Sequence, residues 1–173
     1  NQLDDKGNRH GFWRGTHKDS NRIRYEGNFN HGKEEGIFNY FDDTKAASLI
    51  ATRDFYKGDG SCFAVFYDQK ANKVSEGTLV NKLPEGEWKY FHFESKQPMS
   101  VEFYSKGKLE GARKVFYTDG TLAEETNYKN GNKEGNSKIY SEKGELIEAH
   151  IYKNGQYNGL ASYFDGLGNK MYE

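Results

Sequence analysis

Gly111-Ala112-Arg113-Lys114-Val115-Phe116-Tyr117-Thr118-Asp119-Gly120-Thr121-Leu122-Ala123-Glu124-Glu125-Thr126-Asn127-Tyr128-Lys129-Asn130-Gly131-Asn132-Lys133-Glu134-Gly135 holds one whole structural unit and the first residue of the next. Behind Gly111, Val115 and Tyr117 alternate with other residues, the period-two pattern of a strand that buries one face better than the other. Asp119-Gly120 then turns the chain, and Leu122 to Tyr128 reads as a second strand. Asn130-Gly131 closes the unit, since both residues tolerate the positive φ angles of a type I′ hairpin turn. The unit is two strands and two turns, with no run of helical periodicity.

The same unit recurs on both sides. A small residue followed five positions later by an aromatic appears as Gly36 and Phe41, Gly86 and Phe91, Gly111 and Phe116, Gly135 and Tyr140, and Gly159 and Phe164. Ser61 with Phe66 is a weaker member, and Gly11 is followed at that distance by Thr16. The leading positions 11, 36, 61, 86, 111, 135 and 159 are separated by 25, 25, 25, 25, 24 and 24 residues. Such a period is the signature of a repeat architecture. Other first strands carry Phe38 and Tyr40, Phe63 and Val65, or Trp88 and Tyr90. Other second strands run Ile23 to Phe29, Val74 to Val80, Met99 to Tyr104 and Leu146 to Tyr152, with turns at Lys143-Gly144, Asn154-Gly155 and Asp165-Gly166.

The expected fold is all-β: an elongated antiparallel β-hairpin meander, or solenoid, of about seven 24–25-residue repeats in one twisted, curved sheet. It spans 1–173 as a single domain. The leading glycines are expected to leave room for a ring of the neighbouring hairpin to lie on the backbone. The third unit departs most, because Ser61-Cys62 stands where Gly is expected and Gly58 and Gly60 crowd the preceding turn. A bulge or register change is expected there.

Composition fits this reading and removes other classes. The 173 residues are a length for about one domain. Leu, Ile, Val and Phe make up under a fifth of the chain, yet 25 basic residues meet 26 acidic ones, so the high net charge that accompanies disorder is absent. Aromatics reach 16%, and 20 Gly stand against 2 Pro, a composition for strands and tight turns. No window reaches ~18 apolar residues, which excludes a transmembrane helix. Balanced charge argues against a nucleic-acid partner. Cys62 is the single cysteine, leaving neither an internal disulfide nor a cysteine metal cluster. The opening Asn1-Gln2-Leu3-Asp4-Asp5, without a Met or a leader, suits an exported, periplasmic or envelope-associated protein whose signal has been removed, with a cytoplasmic location as the alternative.

Arg24-Tyr25-Glu26-Gly27-Asn28-Phe29-Asn30-His31-Gly32-Lys33-Glu34-Glu35-Gly36 resembles the MORN repeat almost position for position: Tyr-Glu-Gly, an aromatic, Gly-Lys, Gly. Ser75-Glu76-Gly77-Thr78-Leu79, ending at Glu85-Gly86-Glu87-Trp88, is a looser copy. Later units such as Tyr128-Lys129-Asn130-Gly131-Asn132-Lys133-Glu134-Gly135 resemble the bacterial variant labelled YwqK-type antitoxin, whose step is nearer 24. The resemblance covers essentially the whole chain and implies a hairpin-repeat fold. For function it implies a docking surface, and it admits toxin masking or contact with acidic lipid. Choline- and glucan-binding repeats are also Gly- and ring-rich hairpins, but with a step near 20 and a regular Trp. Here only Trp13 and Trp88 occur.

Enzymatic chemistry finds little support. His10, His17, His31, His92 and His150 occupy different repeat positions without metal-ligand spacing, and read as surface imidazoles. Cys62, inside Cys62-Phe63-Ala64-Val65-Phe66, reads as a small core residue. Glu26, Glu76, Glu102, Glu125 and Glu148 recur on the second strands and read as one solvated face, with no site where two carboxyl pKa values are driven apart. Lysines at the turns, as in Gly32-Lys33, Lys57-Gly58 and Lys106-Gly107-Lys108, are devices against sheet aggregation, with acidic-lipid contact as the alternative.

The expected function is a non-enzymatic protein–protein interaction module without cofactor, metal or small-molecule substrate. In an envelope it would dock on, or close, a membrane or secretion complex. A carbohydrate or peptidoglycan binder using rings as stacking platforms is the second class, and a toxin-masking antitoxin the third. Tyr40, Trp88, Tyr90, Tyr117 and Tyr163 are candidates for exposed rings or hydroxyl contacts, since Tyr and Trp anchor interfaces at low entropic cost. Tyr157, Tyr163 and Tyr172 make the last unit ring-rich, so strand addition at residues 157–173 is the expected docking mode, with the middle repeats as the competing place.

Overall fold

The computed structural model describes residues 1–159 and 161–172, and among them every regular element is a strand. The chain divides into two compact units, Asn1–Leu83 and Pro84–Glu173, where the repeat pattern alone reads as a single domain. The first contains β1 (Gln2–Leu3), β2 (Arg9–Thr16), β3 (Ile23–Asn30), β4 (Lys33–Phe41), β5 (Leu49–Phe55), β6 (Cys62–Tyr67) and β7 (Lys73–Val80). At the boundary begins β8 (Leu83–Phe91), followed by β9 (Pro98–Ser105), β10 (Lys108–Leu109), β11 (Gly111–Phe116), β12 (Leu122–Lys129), β13 (Asn132–Tyr140), β14 (Leu146–Lys153), β15 (Gln156–Tyr157), β16 (Ser162–Phe164) and β17 (Lys170–Tyr172). Within each unit the strands pair antiparallel along the chain: β2 with β3, β3 with β4 and β4 with β5 in the first, β11 with β12, β12 with β13 and β13 with β14 in the second. The fold is the all-β hairpin meander.

Register identifies the repeat more sharply than spacing does. Gly11 lies opposite Phe29, Gly36 opposite Phe55, Gly86 opposite Tyr104, Gly111 opposite Tyr128, and Gly135 opposite Tyr152. In the third unit the corresponding pair is Cys62 with Leu79, so Cys62 and not Ser61 holds the leading place. The steps become 25, 26, 24, 25 and 24, and one turn accounts for all the variation. The hydrogen bonds closing the turn between first and second strands run from His17 N to Arg22 O, Asp42 N to Ser48 O, Asp68 N to Asn72 O, His92 N to Gln97 O and Tyr117 N to Thr121 O. Those closures span 5, 6, 4, 5 and 4 positions, in step with the repeat lengths.

The opposite turn keeps one length, and outside the third unit, where Gly58 and Gly60 take positive φ and Lys57 does not, it also keeps one conformation. His31-Gly32, Lys106-Gly107, Asn130-Gly131 and Asn154-Gly155 all have positive φ at both residues, as a type I′ turn requires. Each is tied to the preceding repeat: Gly32 N donates to Arg9 O, Gly107 N to Pro84 O, Gly131 N to Leu109 O and Gly155 N to Lys133 O, at 2.8–2.9 Å. Carboxylates preceding the leading glycines add a second tie. Glu85, Glu110 and Glu134 accept the N–H of Lys106, Asn130 and Asn154 at 2.7–2.8 Å. In the last unit the left-handed turn residue is Gly168 rather than Gly166.

The expected role of the leading glycines is corrected. Gly36, Gly86 and Gly135 have φ of 68°, 71° and 76°, and a Cβ added there would meet nothing within 4 Å. They are glycine for the backbone angle, not for a ring. Rings instead cover Gly15 and Gly27, where an added Cβ would lie 2.2 Å from Tyr25 and 2.5 Å from Phe38.

One face of the strands is buried. In the first unit it carries Phe29, Phe38, Phe55, Cys62, Ala64 and Leu79, and in the second Trp88, Ser100, Glu102, Thr126, Ser137, His150 and Tyr152.

Candidate functional site

The sequence-predicted rings fall into three places. Trp88 is 4% exposed and packs in the core of the second unit, against Tyr90 at 6.3 Å. Tyr90 is half-buried, with its hydroxyl 3.3 Å from that of Tyr104. Tyr117 donates to Tyr140 O at 2.8 Å, one repeat onward. These are packing and stitching residues, because even-numbered offsets from the leading glycine point inward and the turn position beyond them faces the next hairpin. Tyr163 is also half-buried and stacks on Tyr172 at 4.5 Å. Tyr157 and Tyr172 are the members with well-exposed rings, Tyr157 stacking on Tyr152 at 4.7 Å. Of the proposed docking segment 157–173, Leu160 and Glu173 lie outside the described residues.

The histidines and acids also separate by position. His17 and His92 occupy Tyr117's place in their own repeats, and each ring nitrogen meets a carbonyl 24 residues on, Phe41 O and Phe116 O. His150 is not a surface imidazole. It is 7% exposed and bonded to Glu148 at 3.0 Å. The five glutamates do not form one row: Glu26 and Glu125 pair across strands with Arg14 and Lys114, whereas Glu102 is buried on the inner face. A shift of one residue along a strand exchanges faces. Glu102 accepts from Arg113 Nε at 2.9 Å, Tyr104 Oη at 2.6 Å and Ser100 Oγ at 3.2 Å. Burial, then the bond to Glu102, pushes the Tyr104 hydroxyl well above the usual phenol range. Thr126 Oγ1 continues the ladder to Glu124 at 2.8 Å and Ser137 at 2.6 Å. Cys62 is buried, and burial pushes its thiol up, which suits a core residue and not a nucleophile. Among the described residues no group of three or more His, Cys, Asp or Glu is placed to hold a metal.

Two surfaces of the first unit escaped the sequence reading. On the outer face, the position after each leading residue holds Phe12, Ile37 and Phe63, which are 52%, 62% and 39% exposed. On the inner face, Arg9, Arg24, Arg53 and Lys82 gather around Tyr25 and Tyr40 in a concavity of about 300 Å³. Arg9 lies 5.1 Å above both Trp13 and Phe29 and donates to Tyr25 Oη at 3.1 Å. Arg53 lies 4.8 Å above Tyr40. Burial raises the Tyr40 hydroxyl above its ordinary range, with Arg53 opposing. The available signal was Arg53 itself, which stands where the flanking repeats place Gly27 and Gly77.

No family model and no curated protein matches the chain. Among solved structures it is similar to TarM at 13% identity, over 78% of this chain and 20% of that one, with a TM-score of 0.29. A Staphylococcus aureus TarM mutant in complex with fondaparinux, alpha-GlcNAc-glycerol and UDP gives 14%, 77%, 20% and 0.28. A protein of unknown function from Bacteroides fragilis NCTC 9343 gives 10% identity over 95% of this chain and 89% of that one, with a TM-score of 0.15. The matched part is thus about a fifth of the TarM chains, and likenesses of this size carry neither a fold assignment nor a function to this protein.

Proposed function

We propose that the protein is a non-enzymatic interaction module of MORN-repeat type, which docks a protein partner on the outer face of its first unit. The observation that carries this reading is an asymmetry at one repeat position. Phe12, Ile37 and Phe63 in the first unit are replaced by Glu87, Ala112 and Asn136 in the second. Strands of the second unit form with Glu87, Ala112 and Asn136 there, and carry their exposed apolar side chains Phe103 and Ile151 on the facing strand instead. The hairpin therefore does not need a large apolar side chain at that place. Exposed large apolar side chains beyond what folding requires mark a contact surface. Asn28, Asp54 and Thr78 lie between them across the strands, so the surface offers alternating apolar and hydrogen-bonding rows. A partner presenting apolar side chains separated by polar or basic groups fits that pattern.

An exported setting and a membrane-associated complex are the context proposed for the test. Native envelope is cross-linked with the wild-type chain, with Ile37→Lys, and with Glu87→Ala as the control in the second unit. A protein captured by wild type and Glu87→Ala but lost with Ile37→Lys supports the reading. Equal capture by all three, or retention only of lipid, defeats it.

A further inference from the structure

The inner face of the first unit concentrates charge in a way its core packing does not call for. Three guanidiniums and an ammonium, from Arg9, Arg24, Arg53 and Lys82, share one concavity with the single carboxylate of Glu34. Arg53 Nε is buried and has no hydrogen-bond partner among the described residues, although a buried N–H without a partner is costly. The floor is a shingle of rings: Tyr25, Phe38 and Tyr40 lie 6.3–6.4 Å apart at interplanar angles of 28–38°. Phe38 is 1% exposed, whereas Tyr25 and Tyr40 keep part of their surface open. Such a basin offers a flat apolar platform edged by fixed forks that match carboxylate and phosphate oxygens. Its volume lies at the lower end of small-molecule sites, enough for about one or two sugar rings.

From this arrangement we infer that the inner face of the first unit binds an anionic saccharide, whose carboxylate or phosphate is held by Arg24, Arg53 and Lys82 while its ring packs on Tyr25 and Tyr40. Arg53 Nε then gains the acceptor it lacks. Arg9, already laid over Trp13 and Phe29, walls the site. A lone inorganic anion would satisfy the cations and leave the rings unused. A neutral sugar would use the rings and leave the cations unpaired. The site faces away from Phe12, Ile37 and Phe63 and does not depend on their role.

The test titrates the full chain with four probes, read by calorimetry and amide NMR shifts. They are a tetrasaccharide of alternating glucuronate and N-acetylglucosamine, its neutral counterpart chitotetraose, glucose 1-phosphate, and inorganic phosphate. One or both anionic sugars are expected to bind about tenfold or more tighter than chitotetraose and than inorganic phosphate. Which of the two binds tells carboxylate from phosphate. Arg24→Gln, at an exposed position that folding does not need, is expected to weaken binding about fivefold or more. Arg53→Gln is expected to abolish it, with melting followed to confirm the fold. Lys114→Gln in the second unit and Ile37→Lys on the outer face are expected to leave affinity unchanged. The inference is overturned if no sugar binds at millimolar concentration, if charged and neutral sugars bind alike, or if inorganic phosphate binds as well as the sugars. It is equally overturned if Lys114→Gln weakens binding as much as Arg24→Gln.

Discussion

The two units build the same hairpin around opposite chemistries. At the middle of the second strands the first unit places Gly27 and Gly77, with Phe38 laid over Gly27, and its core is made of rings meeting edge to face. The second unit places Glu102, Thr126 and His150 at that position and fills the face with bonded carboxylates, hydroxyls and an imidazole. The hairpin template therefore requires only that the inner row be filled and satisfied. Apolar filling gains from transfer and dispersion. Polar filling holds only while each buried group keeps its partner. At that position Arg53 takes the place of a glycine in the first unit, and it stands in the basin.

Removing the central ring should separate the units most. Phe38→Ala is expected to destabilise by about 3–5 kcal/mol in urea melts, because Phe29, Tyr25, Tyr40 and Phe55 all lose a neighbour. A loss below about 1 kcal/mol would mean that the ring stack is not the core of its unit. Arg113→Ala should cost about 2–3 kcal/mol, below the range for a fully buried pair because its side chain is 28% exposed. The paired change Glu102→Met with Arg113→Met should recover much of that loss, and failure to recover would show that the ladder, not mere filling, is required. Gly27→Ala drives a Cβ into the Phe38 ring and is expected to cost about 1–3 kcal/mol. Gly135→Ala, in open space at φ 76°, should cost about 1 kcal/mol. Equal losses would erase the distinction between glycines kept for a ring and glycines kept for an angle.

Acid should produce the smallest effect, and in both units. Asp68 is held below the usual carboxylate range by Asn72, and Asp119 by the Thr121 N–H. A depressed folded pKa stabilises above the unfolded value and is lost as pH falls through the folded one, so the window lies below about pH 4. Asp119→Asn should flatten the fall of melting temperature in that window and lower the neutral value by a correspondingly small amount. Tyr104 works in the opposite sense, its raised pKa stabilising until strongly alkaline pH.

Strand positions and type I′ turns were legible because alternation and Asn-Gly are local signals, and second strands such as Leu122–Lys129 end within a residue of the reading. Two things were not local. The third unit's leading place depends on which residue faces Leu79, and the one residue by which the Asp42–Ser48 turn exceeds the His17–Arg22 turn displaces any count made from spacing. The row of glutamates failed through parity, since Glu26 and Glu102 look alike by their type yet point to opposite faces. The basin was hidden for a related reason: Arg9, Arg24, Arg53 and Lys82 lie far apart in sequence and meet only once register sets their face.

The turns at the two edges differ in what they would permit an engineer or a gene rearrangement to do. Between Asp42 and Ser48 the chain already accommodates two residues more than the Tyr117–Thr121 turn, without disturbing the strands beside it. A foreign peptide grafted there would be carried as a passenger, while the same graft at Asn130-Gly131 would tear out the ties to Leu109 and Glu110. Change in length from repeat to repeat is therefore carried by one of the two turns alone.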